Sequence, residues 1–236
     1  SFGGGIGTPF LRKQTWWPYM RRFTTYLARN TFLLERGKPV SDVLWYLGDE
    51  IQQKPNQREP FPEGYKYDYC NTDALMTRMD VKDGQWVTPD GIRYRLMWIP
   101  DAGTRLLPAT VKRLTELVHR GGILVADAPQ HPATRLEAED LKAFQADVNA
   151  LWKGDTGNGQ VLSGMSIEEA LRILQIEPDV KPTQAQWLHR KADGADWYMV
   201  CAPQEGRFEG QIEFHTTGRA ELWNPMNGTI EPMNST

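Results

Sequence analysis

The run Val40-Ser-Asp-Val-Leu-Trp-Tyr-Leu-Gly-Asp-Glu-Ile51 constrains the fold more than any other stretch. Its apolar residues are continuous rather than alternating. That is the pattern of a strand covered on both faces, as a central strand of a parallel sheet must be. The strand, predicted over Val40 to Leu47, opens at once onto Asp49 and Glu50. In open α/β sheets ligands gather beyond such carboxyl ends.

The rest of the chain follows from that strand. Upstream, Thr15 is placed to cap a helix running to about Arg36, with Trp16, Met20, Phe23, Leu27 and Leu34 at helical spacing and Gly37 as its stop. Downstream, strands are predicted at Tyr67 to Cys70, Tyr94 to Ile99, Ile123 to Ala126 and Gly159 to Leu162. Helices alternate with them at Thr72 to Met79, about Leu107 to Val118, Leu136 to Lys153 and Ser166 to Leu174. Ser166-Ile-Glu-Glu169 is a capping box. The polar, proline-bearing stretch Gln52 to Glu63 reads as a loop, and Val81 to Ile92 as a hairpin with Asp-Gly turns. Past Pro182 the pattern becomes short alternating runs at Trp187 to Arg190, Asp196 to Cys201, Gln211 to Thr216 and Arg219 to Trp223, with Asn227-Gly228 as a turn. The fold class expected is α/β: a three-layer, mostly parallel sheet with helices on both faces, followed by antiparallel β-strands. The divisions expected are a helical segment 1–37, an α/β domain 38–182 and a β-rich segment 183–236.

Bulk properties narrow the function. A net charge of −3 leaves no basic footprint for nucleic acid. No apolar run approaches the roughly 20 residues of a membrane-spanning helix. Cys70 and Cys201 are too few and too far apart to form a framework, and both read as small core residues. The nine tryptophans suit core packing better than a row of sugar platforms.

No nucleotide-binding P-loop, HExxH, CxxC or Gly-x-Ser-x-Gly motif occurs. His119, His131, His189 and His215 are scattered, and His131, beside two prolines after a strand end, is the best placed for a site. Carboxylates are more suggestive. Asp49 and Glu50, then Asp73, Asp101 and Asp127, follow successive strands and would line one sheet edge, with Asn71 among them. Such a row could bind a sugar, with Asp49, Glu50, Asn71, Asp73 and Asp101 as the candidate lining. The same residue types also cap helices that follow strands.

The ordered set Thr15-Trp-Trp-Pro18, Tyr26-Leu-Ala-Arg29, Asp42-Val-Leu-Trp-Tyr-Leu-Gly-Asp49, Gly64-Tyr-Lys-Tyr-Asp68, Asn71-Thr-Asp-Ala-Leu75, Val81-Lys-Asp-Gly84, Pro89-Asp-Gly91, Tyr94-Arg-Leu96 and Leu222-Trp-Asn-Pro-Met-Asn-Gly228 resembles glycoside hydrolase family 106, the bacterial α-L-rhamnosidases. The resemblance spans nearly the whole chain. It implies a much longer parent, in which a catalytic (α/β)₈ barrel precedes an α/β domain like that of class I glutamine amidotransferases. This chain then corresponds to the barrel's last helix, that α/β domain and the first strands of a β-domain.

The family's two catalytic glutamates and its calcium ion are implied to lie upstream of Ser1, so no catalytic residue, metal ligand or cofactor is assigned here. The partners implied are the rest of the parent chain and, through it, rhamnose-containing glycans, with no nucleic acid and no membrane. A periplasmic or secreted setting is implied for the parent. Neither cysteine stands in the glycine-flanked elbow that amidotransferase chemistry needs. The function expected is an inactive lobe that braces the barrel; the alternatives are a sugar- or small-molecule-binding module and an assembly module.

Overall fold

The computed structural model describes residues 12–49, 61–100, 105–203 and 209–233. It divides into two compact units, residues 1–37 with 217–236, and residues 38–216. Among the described residues, no helix is long and apolar enough to cross a membrane.

In the smaller unit a 3₁₀ turn at Trp17–Tyr19 leads into α1, Met20–Glu35. Pro18 lies in that turn, where its missing N–H costs no helical bond. Gly37, at φ +64°, ends the helix in the left-handed region. The apolar stripe predicted for this helix is only partly covered: Trp16, Met20 and Leu34 are half-buried, but Phe23 is 47% and Leu27 43% exposed, and Asn30 is the helix's one buried residue.

The larger unit is built on strands whose continuous apolar character the sequence announced. After β1 (Lys38–Pro39), β2 (Val43–Tyr46) is buried at every position. Next come β3 (Tyr67–Cys70), α2 (Thr72–Thr77), and an antiparallel trio β4 (Asp80–Lys82), β5 (Gln85–Val87) and β6 (Arg93–Tyr94). Then β7 (Leu96–Trp98), α3 (Pro108–His119), β8 (Ile123–Val125), α4 (Ala138–Lys153), β9 (Gln160–Leu162) and α5 (Ile167–Ile173) alternate. The main sheet has five parallel strands in the order β3-β2-β7-β8-β9. Counting only these strands, the order is 2-1-3-4-5, a common doubly wound arrangement.

Alternate residues of each strand face opposite layers. Leu44, Tyr46, Met97 and Leu124 pack with Leu75 of α2, with Val111, Leu114 and Val118 of α3, and with Phe144, Val148 and Leu151 of α4. Val43, Trp45, Leu96, Trp98 and Val125 pack on the other side with Ile167, Ala170 and Leu171 of α5. Trp45 centres an aromatic group, with Trp98, Tyr67 and Tyr69 at 4.7, 4.9 and 5.2 Å between ring centroids. Close backbone approach explains Gly159: a Cβ there would lie 2.0 Å from the Val118 carbonyl oxygen and 2.5 Å from that of Gly122.

Three expectations are corrected. The strand predicted over Tyr94 to Ile99 is two strands in different sheets. The chain changes partners at Arg95, whose N–H donates to the Asp42 carbonyl at 2.8 Å. Gln211 to Thr216 is not a strand; it contributes a single bridge, Phe214 with Val180, because those residues pair with a lone extended residue. Cys201, expected in the core, is exposed at the end of a hairpin strand. The loop predicted over 52–63 lies mostly outside the described residues.

Hairpin β10 (Gln186–Ala192) and β11 (Ala195–Cys201) turns at Asp193-Gly194 and pairs with β1. Residues 183–216 therefore group with 38–182 in the larger unit. The smaller unit ends with hairpin β12 (Ala220–Trp223) and β13 (Ile230–Met233). The Arg29 guanidinium of α1 donates to the Pro225 and Met226 carbonyls, each at 3.1 Å, in the turn of that hairpin. Gly228 makes room for it, since a Cβ there would meet the Arg29 guanidinium at 2.7 Å.

Candidate functional site

The parallel order reverses between β2 and β7, and ligands of doubly wound sheets bind beyond the carboxyl ends at that reversal. Asp49 stands there. Its Oδ1 accepts from the hydroxyls of Tyr46 (2.6 Å), Thr72 (2.6 Å) and Thr110 (3.1 Å), and its Oδ2 accepts from the Leu107 N–H at 2.7 Å. One carboxylate thus ties the end of β2 to the first turns of α2 and α3. Burial, followed by the hydrogen bond to this carboxylate, pushes the Tyr46 phenol well above its ordinary value, so it remains a donor.

The other edge residues divide between capping and exposure. The Asn71 side chain caps α2, accepting from the Ala74 N–H at 2.9 Å. Asp73 is exposed in the first turn of the same helix, where negative charge suits the dipole. Asp127, after β8, accepts from the Ser163 hydroxyl (2.8 Å) and the Gly164 N–H (2.6 Å), fastening the ends of β8 and β9. Glu50 and Asp101 lie outside the described residues. Of the five candidate sugar contacts, the structure therefore brings Asp49, Asn71 and Asp73 to one edge.

Cys70 is buried beside this edge, and burial pushes its thiol up to about 12, so it carries negligible thiolate near neutral pH. Among the described residues, no group of three or more His, Cys, Asp or Glu side chains is placed to hold a metal ion.

A second polar cluster, at the amino end of β2, was not visible in the sequence reading. His189 is 5% exposed. Its Nδ1 lies 2.7 Å from Asp179 Oδ2, its Nε2 lies 3.1 Å from Asp196 Oδ1, and its ring stacks on Tyr198 at 4.1 Å. The Tyr198 hydroxyl donates to Asp179 Oδ1 at 2.7 Å. Nearby Asp42 accepts from the Lys66 N–H at 3.1 Å, and burial pushes its carboxyl up to about 6 against that bond. The Asp193-Gly194 turn was a usable signal, because it sets the hairpin register that pairs His189 with Tyr198. Asp179, ten residues upstream of His189, and the far more distant Asp42 lie outside the hairpin and gave none. Closed in this way, the cluster locks the hairpin onto the sheet. His119 is a helix-end residue, its Nε2 2.8 Å from the Asp155 carbonyl. His131 instead borders a surface cavity of about 390 Å³.

A family model described as alpha-L-rhamnosidase, of glycoside hydrolase family 106, matches residues 3–236. A protein of Formosa agariphila named "Putative beta-glucuronidase" is 29% identical over 235 residues, which are 95% of this chain and 19% of that protein. The solved structure of a rhamnosidase from Novosphingobium sp. PP1Y superposes with a TM-score of 0.82 at 29% identity, over 96% of this chain and 23% of that one. The chain thus spans about a fifth of the length of the relatives it matches.

Proposed function

The chain belongs to glycoside hydrolase family 106, the α-L-rhamnosidases, and from that premise we propose that it serves as a non-catalytic lobe bracing the sugar-cleaving part of a longer enzyme. The observation that carries this reading is Asp49. The carboxylate at the position where a doubly wound sheet would hold its ligand already accepts four internal donors. A carboxylate so committed is built to hold loops together, and it has little acceptor capacity left for a substrate. The strand order supports reading the parallel sheet as the family's amidotransferase-like domain. The high-lying Cys70 thiol supports reading that domain as one without amidotransferase chemistry.

The partner is then the remainder of the parent glycosidase, and rhamnose-bearing glycans are met through it. Calcium is assigned to that remainder on the family resemblance alone. The exposed Phe23 and Leu27 of α1 supply an apolar surface for a bracing contact. The test is direct: the purified 236-residue chain, offered an aryl α-L-rhamnoside, is expected to release no aryl alcohol above background. Sustained turnover by the chain alone would overturn the reading.

A further inference from the structure

An asparagine followed by glycine is prone to lose its side-chain amide, because glycine sets no Cβ in the way when its own nitrogen approaches the asparagine Cγ. The chain has two such pairs, Asn158-Gly159 and Asn227-Gly228, and both asparagines are exposed. The reaction is internal. Solvent hydroxide takes the glycine N–H proton, and that nitrogen attacks the asparagine Cγ. A Cγ–N bond forms and the Cγ–Nδ2 bond breaks; the departing nitrogen takes a proton from water and leaves as ammonia, which returns the hydroxide. Water then opens the cyclic imide at one of its two carbonyl carbons, giving aspartate or isoaspartate with no change of oxidation state. Removal of the N–H proton is also the step that amide hydrogen exchange reports, so a hydrogen bond held by that N–H retards both.

The fold treats the two pairs differently. The Gly228 N–H donates to the Asn224 carbonyl at 2.7 Å, and Asn227 Oδ1 accepts from the Thr229 N–H at 2.9 Å and the Thr229 hydroxyl at 3.0 Å. Those bonds must break before the proton is reached and the carboxamide turns. The Arg29 guanidinium holds the same turn through the Pro225 and Met226 carbonyls. At the other pair the Gly159 N–H reaches the Thr156 carbonyl at 3.1 Å, a longer bond. The Asn158 carboxamide has no hydrogen-bond partner among the described residues, so its rotation costs no bond.

We propose that Asn158 is the modification site at which the folded chain converts asparagine to aspartate and isoaspartate, while the clamped turn shields the same dipeptide at Asn227. This chemistry is independent of the bracing role. Isoaspartate at position 158 adds a methylene to the main chain directly before β9, beside Gly159, whose surroundings leave no space even for a Cβ. Because β9 is an edge strand of the parallel sheet, its pairing with β8 is expected to loosen.

Peptide mapping by mass spectrometry tests this on the 236-residue chain, sampled over time in mildly alkaline buffer, with a parallel incubation in urea. In the folded chain Asn158 is expected to convert about tenfold or more faster than Asn227, a ratio equivalent to about 1.4 kcal/mol. In urea the two rates should come together, since the dipeptides are identical. Thr229→Val removes the hydroxyl donor and keeps the branched shape. That variant and Arg29→Ala should each raise the Asn227 rate and leave the Asn158 rate alone, with circular dichroism confirming that both remain folded.

The proposal falls if Asn227 converts as fast as Asn158 in the folded chain, or if Asn158 stays intact there while it converts in urea. It falls as well if the preference persists undiminished in urea, because neighbouring residues rather than the fold would then set it. An unchanged Asn227 rate in both folded variants would show that the turn is not the shield.

Discussion

At the scale of single residues, Asp42 shows how burial makes a carboxyl titrate out of place. Desolvation raises it from 3.8 to about 6. The Lys66 N–H, Arg95 and His189 pull the other way, and Asp179 adds to the rise. The sign follows from proton counting. Between pH about 4 and about 6 the folded chain holds a proton at Asp42 that the unfolded chain has released, so stability falls as pH rises through that window. Below it the buried group is neutral in both states and costs nothing. Above it the cost of the buried charge is complete, at most about 3 kcal/mol. Asp42→Asn keeps an acceptor for the Lys66 N–H without the charge. It should stabilise the chain at pH 8 by up to that amount, since the rise to about 6 is already net of the pull of Arg95 and His189, and the gain should vanish near pH 4. Urea unfolding at the two pH values checks this; an equal effect at both would show that charge burial is not the cause. Asp42 itself was legible only as a polar residue inside the strand predicted over Val40 to Leu47, although the strand begins at Val43, since its neighbours come from elsewhere in the chain.

At the scale of elements, local signals were read well wherever one turn of chain contains the physics. The Ser166–Glu169 capping box forms as written. Asn71 caps α2, and the Asn227-Gly228 turn closes its hairpin. Where partners decide, the reading failed. Tyr94 to Ile99 has a single apolar pattern, yet it serves two sheets, because Asp42 holds Arg95 at the change of partner. Asp49 belongs to this scale as well, since it links β2, α2 and α3. Asp49→Ala leaves the Leu107 N–H and three hydroxyls without their acceptor. It should cost about 3 kcal/mol or more in chemical denaturation. Asp73→Ala, which removes an exposed charge from the first turn of α2, should cost under about 1 kcal/mol. Similar losses for the two would mean that Asp49 is no more than another helix-end charge.

For the whole molecule, the distribution of uncovered apolar side chains is informative. In the smaller unit Tyr19 is 67%, Phe23 47% and Leu27 43% exposed, at successive i, i+4 positions of one helical stretch. Leu222, Ile230 and Met233 of its hairpin are about half exposed too, at 50%, 52% and 51%. Exposed apolar surface of this kind drives association in water. Phe23→Ser/Leu27→Ser should therefore leave the melting temperature of the chain nearly unchanged and reduce any self-association seen by light scattering. Unfolding of the double variant would instead identify these residues as core. The same surface is where the bracing contact with a longer enzyme is proposed, and the chain's share of its relatives, 19% and 23%, leaves ample polypeptide to supply the partner.

The sequence alone determined the alternation of strand and helix, the caps and turns, and the family, because each depends on residues within a few positions of one another or on their order. Tertiary structure alone decided which carboxylates are occupied. Asp49 meets Leu107 and Thr110 from 58 and 61 positions away, and the loops after β7 and β8 meet at the Leu106–Pro132 bridge. A charged side chain carries no local mark of the donors that will satisfy it, since burial and pairing are properties of the packed molecule rather than of the strand that presents it.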